Sequence, residues 1–246
     1  MTTYVLVPGF WLGGWAWRPV AEALRAHGHE VHALSLTGMG ERAHLARPEV
    51  DLEVHVTDVV NLLRYEDLTD VVLVGHSYAG AVVTTAAADR MPDRVAKLVF
   101  VDTGPLPDGV SQSEFDEPDE RAATARLVAE HGDGWRLPPP PWAQLLPGLD
   151  ADVLATLADR SVPQPWATAT SPVSLTGAWE KLPRLGVLCS FTEQQARAMA
   201  GAPLFRHMAD EQWEYEELPT SHWPMFTRPA ELAEILHRAA PGQSGT

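Results

Sequence analysis

Ser77, His222 and the carboxylates Asp102 and Glu193 are the side chains whose types and order suit acyl transfer. The stretch Val71-Val-Leu-Val-Gly-His-Ser-Tyr-Ala-Gly80 runs from four apolar residues into an alanine-rich helix, with Ser77 at the turn between them. A serine on such an elbow exposes its Oγ at the carboxyl end of a sheet if its neighbours are small, and Gly75 and Ala79 supply that smallness. Taken alone, a serine here would serve as a helix N-cap. The apolar strand before it and the small-residue helix behind it favour a nucleophile instead. A hydroxyl attacks well only once a base takes its proton, and histidine is best matched to that task near neutral pH. Of ten histidines, His27, His29, His32 and His44 lie in polar, surface-like stretches. His76 adjoins Ser77, where adjacent side chains point apart. His222 follows the last strand and precedes the last helix, and it is the candidate base.

A third group must orient the imidazole and stabilise its cation. Asp102 ends the strand Leu98–Val101, 25 residues after Ser77, while Glu193 lies 29 residues before His222. Both keep the chain order serine, acid, histidine. Asp102 is preferred and Glu193 is the alternative. Their blander roles are a turn anchor at Thr103-Gly-Pro and the acidic first turn of a surface helix.

The elements that must position these groups alternate. Strands are expected at Tyr4–Val7, Val31–Leu34, Val71–Val74, Leu98–Val101, Val187–Phe191 and Trp213–Leu218. Helices are expected at 17–26, 52–65, 77–90 and 229–238. Val56, Val59, Val60 and Leu63 share one helical face, and Val71–Val74 is apolar throughout, as befits a strand covered on both sides. Such alternation implies an α/β class with a parallel sheet between helical layers. Twelve of the 21 prolines fall between Pro105 and Pro183, so this segment reads as an insertion of short helices and loops. The expected organisation is a core of residues 1–104 and 184–246 interrupted by a cap at 105–183.

At the elbow the chain resembles the α/β-hydrolase superfamily, although Ala79 stands where G-x-S-x-G has its second glycine. The loop Val7-Pro-Gly-Phe-Trp-Leu-Gly-Gly-Trp-Ala-Trp17 looks like the H-G-x-x-x-G-x-W-x-W segment of the hydroxynitrile-lyase and plant salicylate-type esterase branch, most like its bacterial esterase members. Pro8 stands where those relatives often carry histidine. His-Trp-Pro-Met resembles the H-x-P-M string of their histidine loop. The resemblance implies an oxyanion hole from the backbone N–H groups of Phe10 and Tyr78, and a helical cap. It also puts the acid in doubt. The family usually carries an aspartate after the penultimate strand, and here that loop reads Cys-Ser-Phe-Thr-Glu-Gln-Gln195. Some superfamily members carry their acid at the strand end that Asp102 occupies.

Related chemistries separate on single residues. Dehalogenases and epoxide hydrolases have aspartate in place of the serine. Hydroxynitrile lyases rely on a threonine and a lysine where this chain has Gly9 and Trp223. What remains is a serine esterase acting on a small hydrophobic or aromatic ester or lactone through an acyl-enzyme. The alternatives are a hydrolase-like receptor with little turnover, to which the missing loop aspartate would point, and a polyketide-tailoring cyclase or lactonase. Eight of nine tryptophans fall in the first-strand loop, the insertion or the histidine loop. Trp11, Tyr78, Trp142, Trp166 and Trp223 are accordingly expected to bind substrate.

Composition removes other classes. A net charge of −15 repels phosphate backbones and anionic lipid, so neither nucleic acid nor a membrane is an expected partner. The acidic segments Asp108–Glu120 and Asp210–Glu217 read as solvated faces. The lone Cys189 excludes an internal disulfide, and no motif calls for a metal or an organic cofactor. The first apolar run lacks a basic leader, so the expected location is cytoplasmic. A homodimer is compatible with the sequence, and the polar tail from Pro241 is expected to fray.

Overall fold

The computed structural model of the protein describes residues 1–199, 201–202, 206–208 and 212–241. The expectation for the tail falls on 242–246, which lie outside them. The chain begins with β1 (Thr3–Val7), α1 (Arg18–Ala26), β2 (Glu30–Ala33), α2 (Leu52–Tyr65) and β3 (Val71–His76). A π-helical stretch, Ala79–Thr84, then runs into α3 (Thr85–Arg90), followed by β4 (Val95–Val101). The next segment carries α4 (Pro118–His131), β5 (Arg136–Leu137), α5 (Trp142–Leu145), α6 (Ala151–Arg160), β6 (Gln164–Pro165) and α7 (Ala167–Thr170). The chain closes with β7 (Arg184–Leu188), α8 (Glu193–Met199), β8 (Trp213–Glu217), α9 (Pro224–Thr227) and α10 (Pro229–Arg238).

The main sheet has the order β2-β1-β3-β4-β7-β8, and all its pairings are parallel. Side chains alternate across it, as a period of two requires. Val5, Val7, Val71, Leu73, Leu98 and Phe100 face the layer of α2 and α3. Tyr4, Leu6, Val72, Val74, Val99 and Val101 face the layer of α1 and α10. Every residue of β3 is buried, which explains its unbroken apolar run.

Three differences from the sequence expectation have local causes. The penultimate strand begins and ends three residues early because Arg184, polar in type, is buried at its start with its guanidinium 5.2 Å from the Trp179 ring. The insertion is not made only of short helices, since α4 has 14 residues and starts with Pro118, which fits a first helical turn. The acidic segments are not simply solvated faces. Glu114 accepts hydrogen bonds from both the backbone and hydroxyl of Ser111, and the described part of the second segment is largely the edge strand β8. No helix among the described residues is long and apolar enough to cross a membrane.

Candidate active site

The end of β3 is shaped by two glycines. A Cβ on Gly75 would lie 2.6 Å from the Gly80 Cα, and one on Gly80 would lie 2.7 Å from the Gly75 carbonyl oxygen. The tight approach therefore involves Gly80, where sequence spacing pointed to Ala79. Ser77 adopts φ +52°, a left-handed conformation unusual for a residue with a side chain. Its own N–H donates to the Val101 carbonyl and its carbonyl accepts from the Ala81 N–H, so the strained turn is anchored on both sides. The hydroxyls of Thr84 and Thr85 donate to the carbonyls of Ala79 and Gly80 within the π-helical stretch.

His222 places Nε2 2.9 Å from Ser77 Oγ and Nδ1 2.6 Å from Asp102 Oδ2. A carboxylate only accepts, so Nδ1 carries the proton and Nε2 is free to accept from the serine hydroxyl. Asp102 also sits at positive φ, +51°, with its side chain fully buried. It accepts from the N–H groups of Cys189 and Ser190, both at 2.8 Å, and from the Ser190 hydroxyl at 2.7 Å. Burial pushes its carboxyl up, but the hydrogen bond and charge of His222, together with the Ser190 donors, outweigh burial. They hold it below the usual carboxylate range. Glu193 is half-exposed, pairs with Arg197, and is not part of this hydrogen-bonded chain.

His76 was set aside on sequence grounds, yet it touches the candidate base. It is fully buried, and its Nε2 donates to the His222 carbonyl oxygen at 2.7 Å. Burial, with the charge of His222 as the second cause, pushes its pKa down to about 3, so it is neutral at physiological pH. A histidine closing an otherwise apolar, buried strand must find a partner, and that signal was available in the sequence. Ser190 lacked any such signal, because only the packing of β7 beside β4 brings it to Asp102.

Phe10 and Tyr78 lie against each other, their rings stacked at 4.5 Å. Among the described residues neither backbone amide meets an acceptor. The Tyr78 side chain is fully buried, with its hydroxyl 3.0 Å from His55 Nδ1. His55 Nε2 donates to the Thr37 carbonyl. Burial lowers the pKa of His55 to about 4, so its neutral Nδ1 accepts the Tyr78 hydroxyl proton.

A cavity of about 660 Å³ opens over Ser77 and His222. Its wall is apolar, with Phe10, Phe191, Leu106, Met208 and the run Pro138–Pro141 among its members. Of the residues expected to bind substrate, Trp11 and Trp166 line it, whereas Tyr78, Trp142 and Trp223 do not. Trp142 is buried and meets Trp11 edge-on at 5.9 Å and Trp223 at 5.2 Å. Trp223 in turn meets the His222 ring edge-on at 5.0 Å. These tryptophans form a chain of aromatic contacts that ties the first-strand loop to the histidine loop, because a large ring without a buried polar partner packs best inside a cluster. Trp11 also holds the insertion. Its N–H donates to Gln164 Oε1, its indole N–H to the Leu137 carbonyl, and its carbonyl accepts from the Val162 N–H.

Comparison with known proteins bears on the family and the fold. Residues 4–235 match the model of the alpha/beta hydrolase family. The chain is 32% identical to the carbendazim hydrolyzing esterase of a Nocardioides species, over 96% of this chain and 98% of that one. It is 26% identical to methylesterase 17 of Arabidopsis thaliana, over 96% of this chain and 91% of that one. An extracellular α/β-hydrolase from a Paenibacillus species, described as homologous to tobacco salicylic acid binding protein 2, superimposes with a TM-score of 0.82 at 20% identity. It covers 98% of this chain and 100% of its own, and shows the fold alone. With nearly its whole length matched, the chain belongs to the alpha/beta hydrolase family.

Proposed function

We propose that this carboxylic ester hydrolase works through an acyl-enzyme on Ser77, with His222 as base and then acid and Asp102 as the orienting carboxylate. The observation that carries this reading is the hydrogen-bonded chain from Ser77 Oγ through His222 to the fully buried Asp102. Ser77 Oγ attacks the ester carbonyl while His222 Nε2 takes its proton. The tetrahedral oxyanion accepts from the Phe10 and Tyr78 amides, whose freedom from other acceptors supports that role. Collapse of the oxyanion breaks the carbon–oxygen bond to the alcohol, which receives the proton from His222. Water then loses a proton to His222 and attacks the acyl group; the carbonyl re-forms, the acid leaves, and Ser77 regains its proton. In a lactone the same steps open the ring.

The cavity favours small hydrophobic or aromatic esters, with Trp11 and Trp166 as contact residues. Residues 105–183 act as a cap on a core of 1–104 and 184–246, since the insertion supplies much of the cavity wall. Two relatives named for esterase activity support the ester class. The hydrogen bond of His222 to Asp102, at the end of β4, supports an acid outside the loop that lacks an aspartate and so speaks against the receptor alternative. A cytoplasmic location is part of the proposal, and the buried free thiol of Cys189 is compatible with it. A fluorophosphonate should label wild-type protein and not Ser77→Ala, and aromatic esters should turn over faster than p-nitrophenyl acetate. Folded protein that resists the label would overturn the mechanism, and fractionation of the source cells checks the location.

A further inference from the structure

The two amides assigned to the oxyanion, those of Phe10 and Tyr78, belong to the core, but the residue after Phe10 is held by the insertion. Trp11 sits at φ +66°, a left-handed conformation that a residue with a side chain keeps only where its surroundings hold it. All three of its polar groups meet the insertion. The indole N–H donates to the Leu137 carbonyl, the Trp11 carbonyl accepts from the Val162 N–H, and the backbone N–H donates to Gln164 Oε1 at 3.2 Å. Only the last of these acts on the peptide that joins Trp11 to Phe10. That N–H has no other acceptor among the described residues.

Gln164 is itself fixed. It is buried, and it pairs with Leu137 in the two-stranded sheet of β5 and β6. The Thr168 hydroxyl donates to the Pro165 carbonyl at 2.7 Å and accepts from Gln164 Nε2 at 2.8 Å. With a backbone N–H on one side and an accepting hydroxyl on the other, one orientation of the amide satisfies both ends. Thr168 is fully buried and is also a polar neighbour of the Tyr78 hydroxyl. Neither Gln164 nor Thr168 lines the cavity over Ser77.

Phe10 is thereby bracketed. On one side Gly9 lies so near the elbow that a Cβ there would be 2.9 Å from His76 Nδ1 and 3.0 Å from Ser77 Cβ. The Phe10 ring stacks on Tyr78, whose hydroxyl is anchored on His55. On the other side the Phe10–Trp11 peptide is tied to Gln164. We infer that Gln164, oriented by Thr168, is a positioning residue for the oxyanion hole, holding the Phe10–Trp11 peptide and with it the direction of the Phe10 N–H. The insertion then acts on the chemical step as well as on the shape of the cavity. A donor held in this way helps the transition state more than the bound ester, because the full negative charge develops only in the tetrahedral species. This inference rests on the acyl-enzyme reading of Ser77.

The test uses methyl 3-phenylpropanoate and the trifluoromethyl ketone that carries the same phenethyl group. Ser77 Oγ adds to that ketone, its proton passing to His222, and leaves a stable tetrahedral oxyanion. Gln164→Met is of similar length and lacks the acceptor. It should lower kcat by about tenfold, short of the roughly 10²–10³ lost with a whole donor, and weaken the ketone by a similar factor. Ester affinity, read by calorimetry in Ser77→Ala with and without Gln164→Met, should stay within about twofold, as expected when only transition-state stabilisation is lost. Thr168→Val should give the same pattern at a few-fold, and Thr168→Ser, which keeps the hydroxyl, should restore most of it. That pair decides the question if Gln164→Met does not fold. Unchanged kcat and ketone affinity in the folded variants overturn the inference, and so does a loss that lies wholly in ester binding. A wild type whose Ser77 resists the fluorophosphonate removes the acyl-enzyme reading and this inference with it. A labelled, active wild type beside an indifferent Gln164→Met removes this inference alone.

Discussion

The ends of β4 and β7 lie side by side in the sheet, and they divide the work of holding His222 in opposite ways. The β4 end presents one carboxylate, Asp102, at positive φ and out of solvent. The β7 end presents three donors, the N–H groups of Cys189 and Ser190 and the Ser190 hydroxyl, all directed at that carboxylate. The loop after β7, which lacks an aspartate, supplies donors to a carboxylate on the neighbouring strand. The two adjacent parallel strands end beside one carboxylate, which Asp102 supplies from β4 while residues after β7 supply the donors that hold it.

The most decisive way to break this contrast is to remove the carboxylate. Asp102→Asn should lower kcat by about 10⁴, because the amide favours the wrong imidazole tautomer. Glu193→Gln, on an exposed helix, should leave steady-state rates within about twofold, as expected of a surface change. The opposite pattern would transfer the role to Glu193. A second experiment moves the acid across the strands. Combining Asp102→Ser with Ser190→Asp should recover part of the rate lost in Asp102→Asn, because position 190 already reaches the atom that binds His222. No recovery would mean that the β4 backbone geometry, and not only the charge, is required.

Smaller effects sharpen the comparison. His76→Phe removes the hydrogen bond to the His222 carbonyl and should lower kcat by about tenfold with KM little changed. A change confined to KM would show that His76 does not position the base. Ser190→Ala deletes one of the donors to Asp102 while two amide donors remain, and should cost a few-fold in kcat, less than the full worth of a hydrogen bond to a charged group.

The acid limb of stability provides the last check. His76 and His55 have folded pKa values lowered to about 3 and about 4, mainly by burial. Unfolded histidine titrates near 6.5, so stability is complete above about that pH and falls as the pH drops toward the folded values. Asp102 is also depressed, but from the carboxylate range. Its contribution is lost only below about pH 4, as pH falls through the lower folded value. Thermal melts between pH 7.5 and 4.5 should therefore decline in wild type and decline less in His76→Phe, while Asp102→Asn keeps the wild-type slope over that interval. Equal slopes in wild type and His76→Phe would contradict the neutral, buried assignment of His76.

The elbow was legible because its demands are local. An apolar run, a small residue at 75 and a serine before an alanine-rich helix mark a sharp turn whatever surrounds it. The choice between Gly80 and Ala79 as the contact was not legible, since a π-helical stretch changes which residue of the helix faces the strand. His222 was recoverable from its place after the last strand. The acid was only narrowed to two positions, because each lies at a strand end and the sequence does not say which end turns inward. The tryptophans misled for a related reason. Abundance near a site marks aromatic packing, but whether a ring faces the cavity or its own neighbours depends on partners distant in the chain, as with Trp142 between Trp11 and Trp223.

Strand alternation, the α/β class and the candidates for nucleophile and base were thus legible in the sequence alone, because each rests on local periodicity, a steric requirement or a place beside a strand. Only the tertiary structure shows which carboxylate meets His222, the contacts of Ser190 and His76 with that pair, and the wall of the cavity. These depend on contacts between residues up to 146 positions apart, such as His76 and His222. Only the assembled sheet and the packed insertion bring such residues within hydrogen-bonding distance.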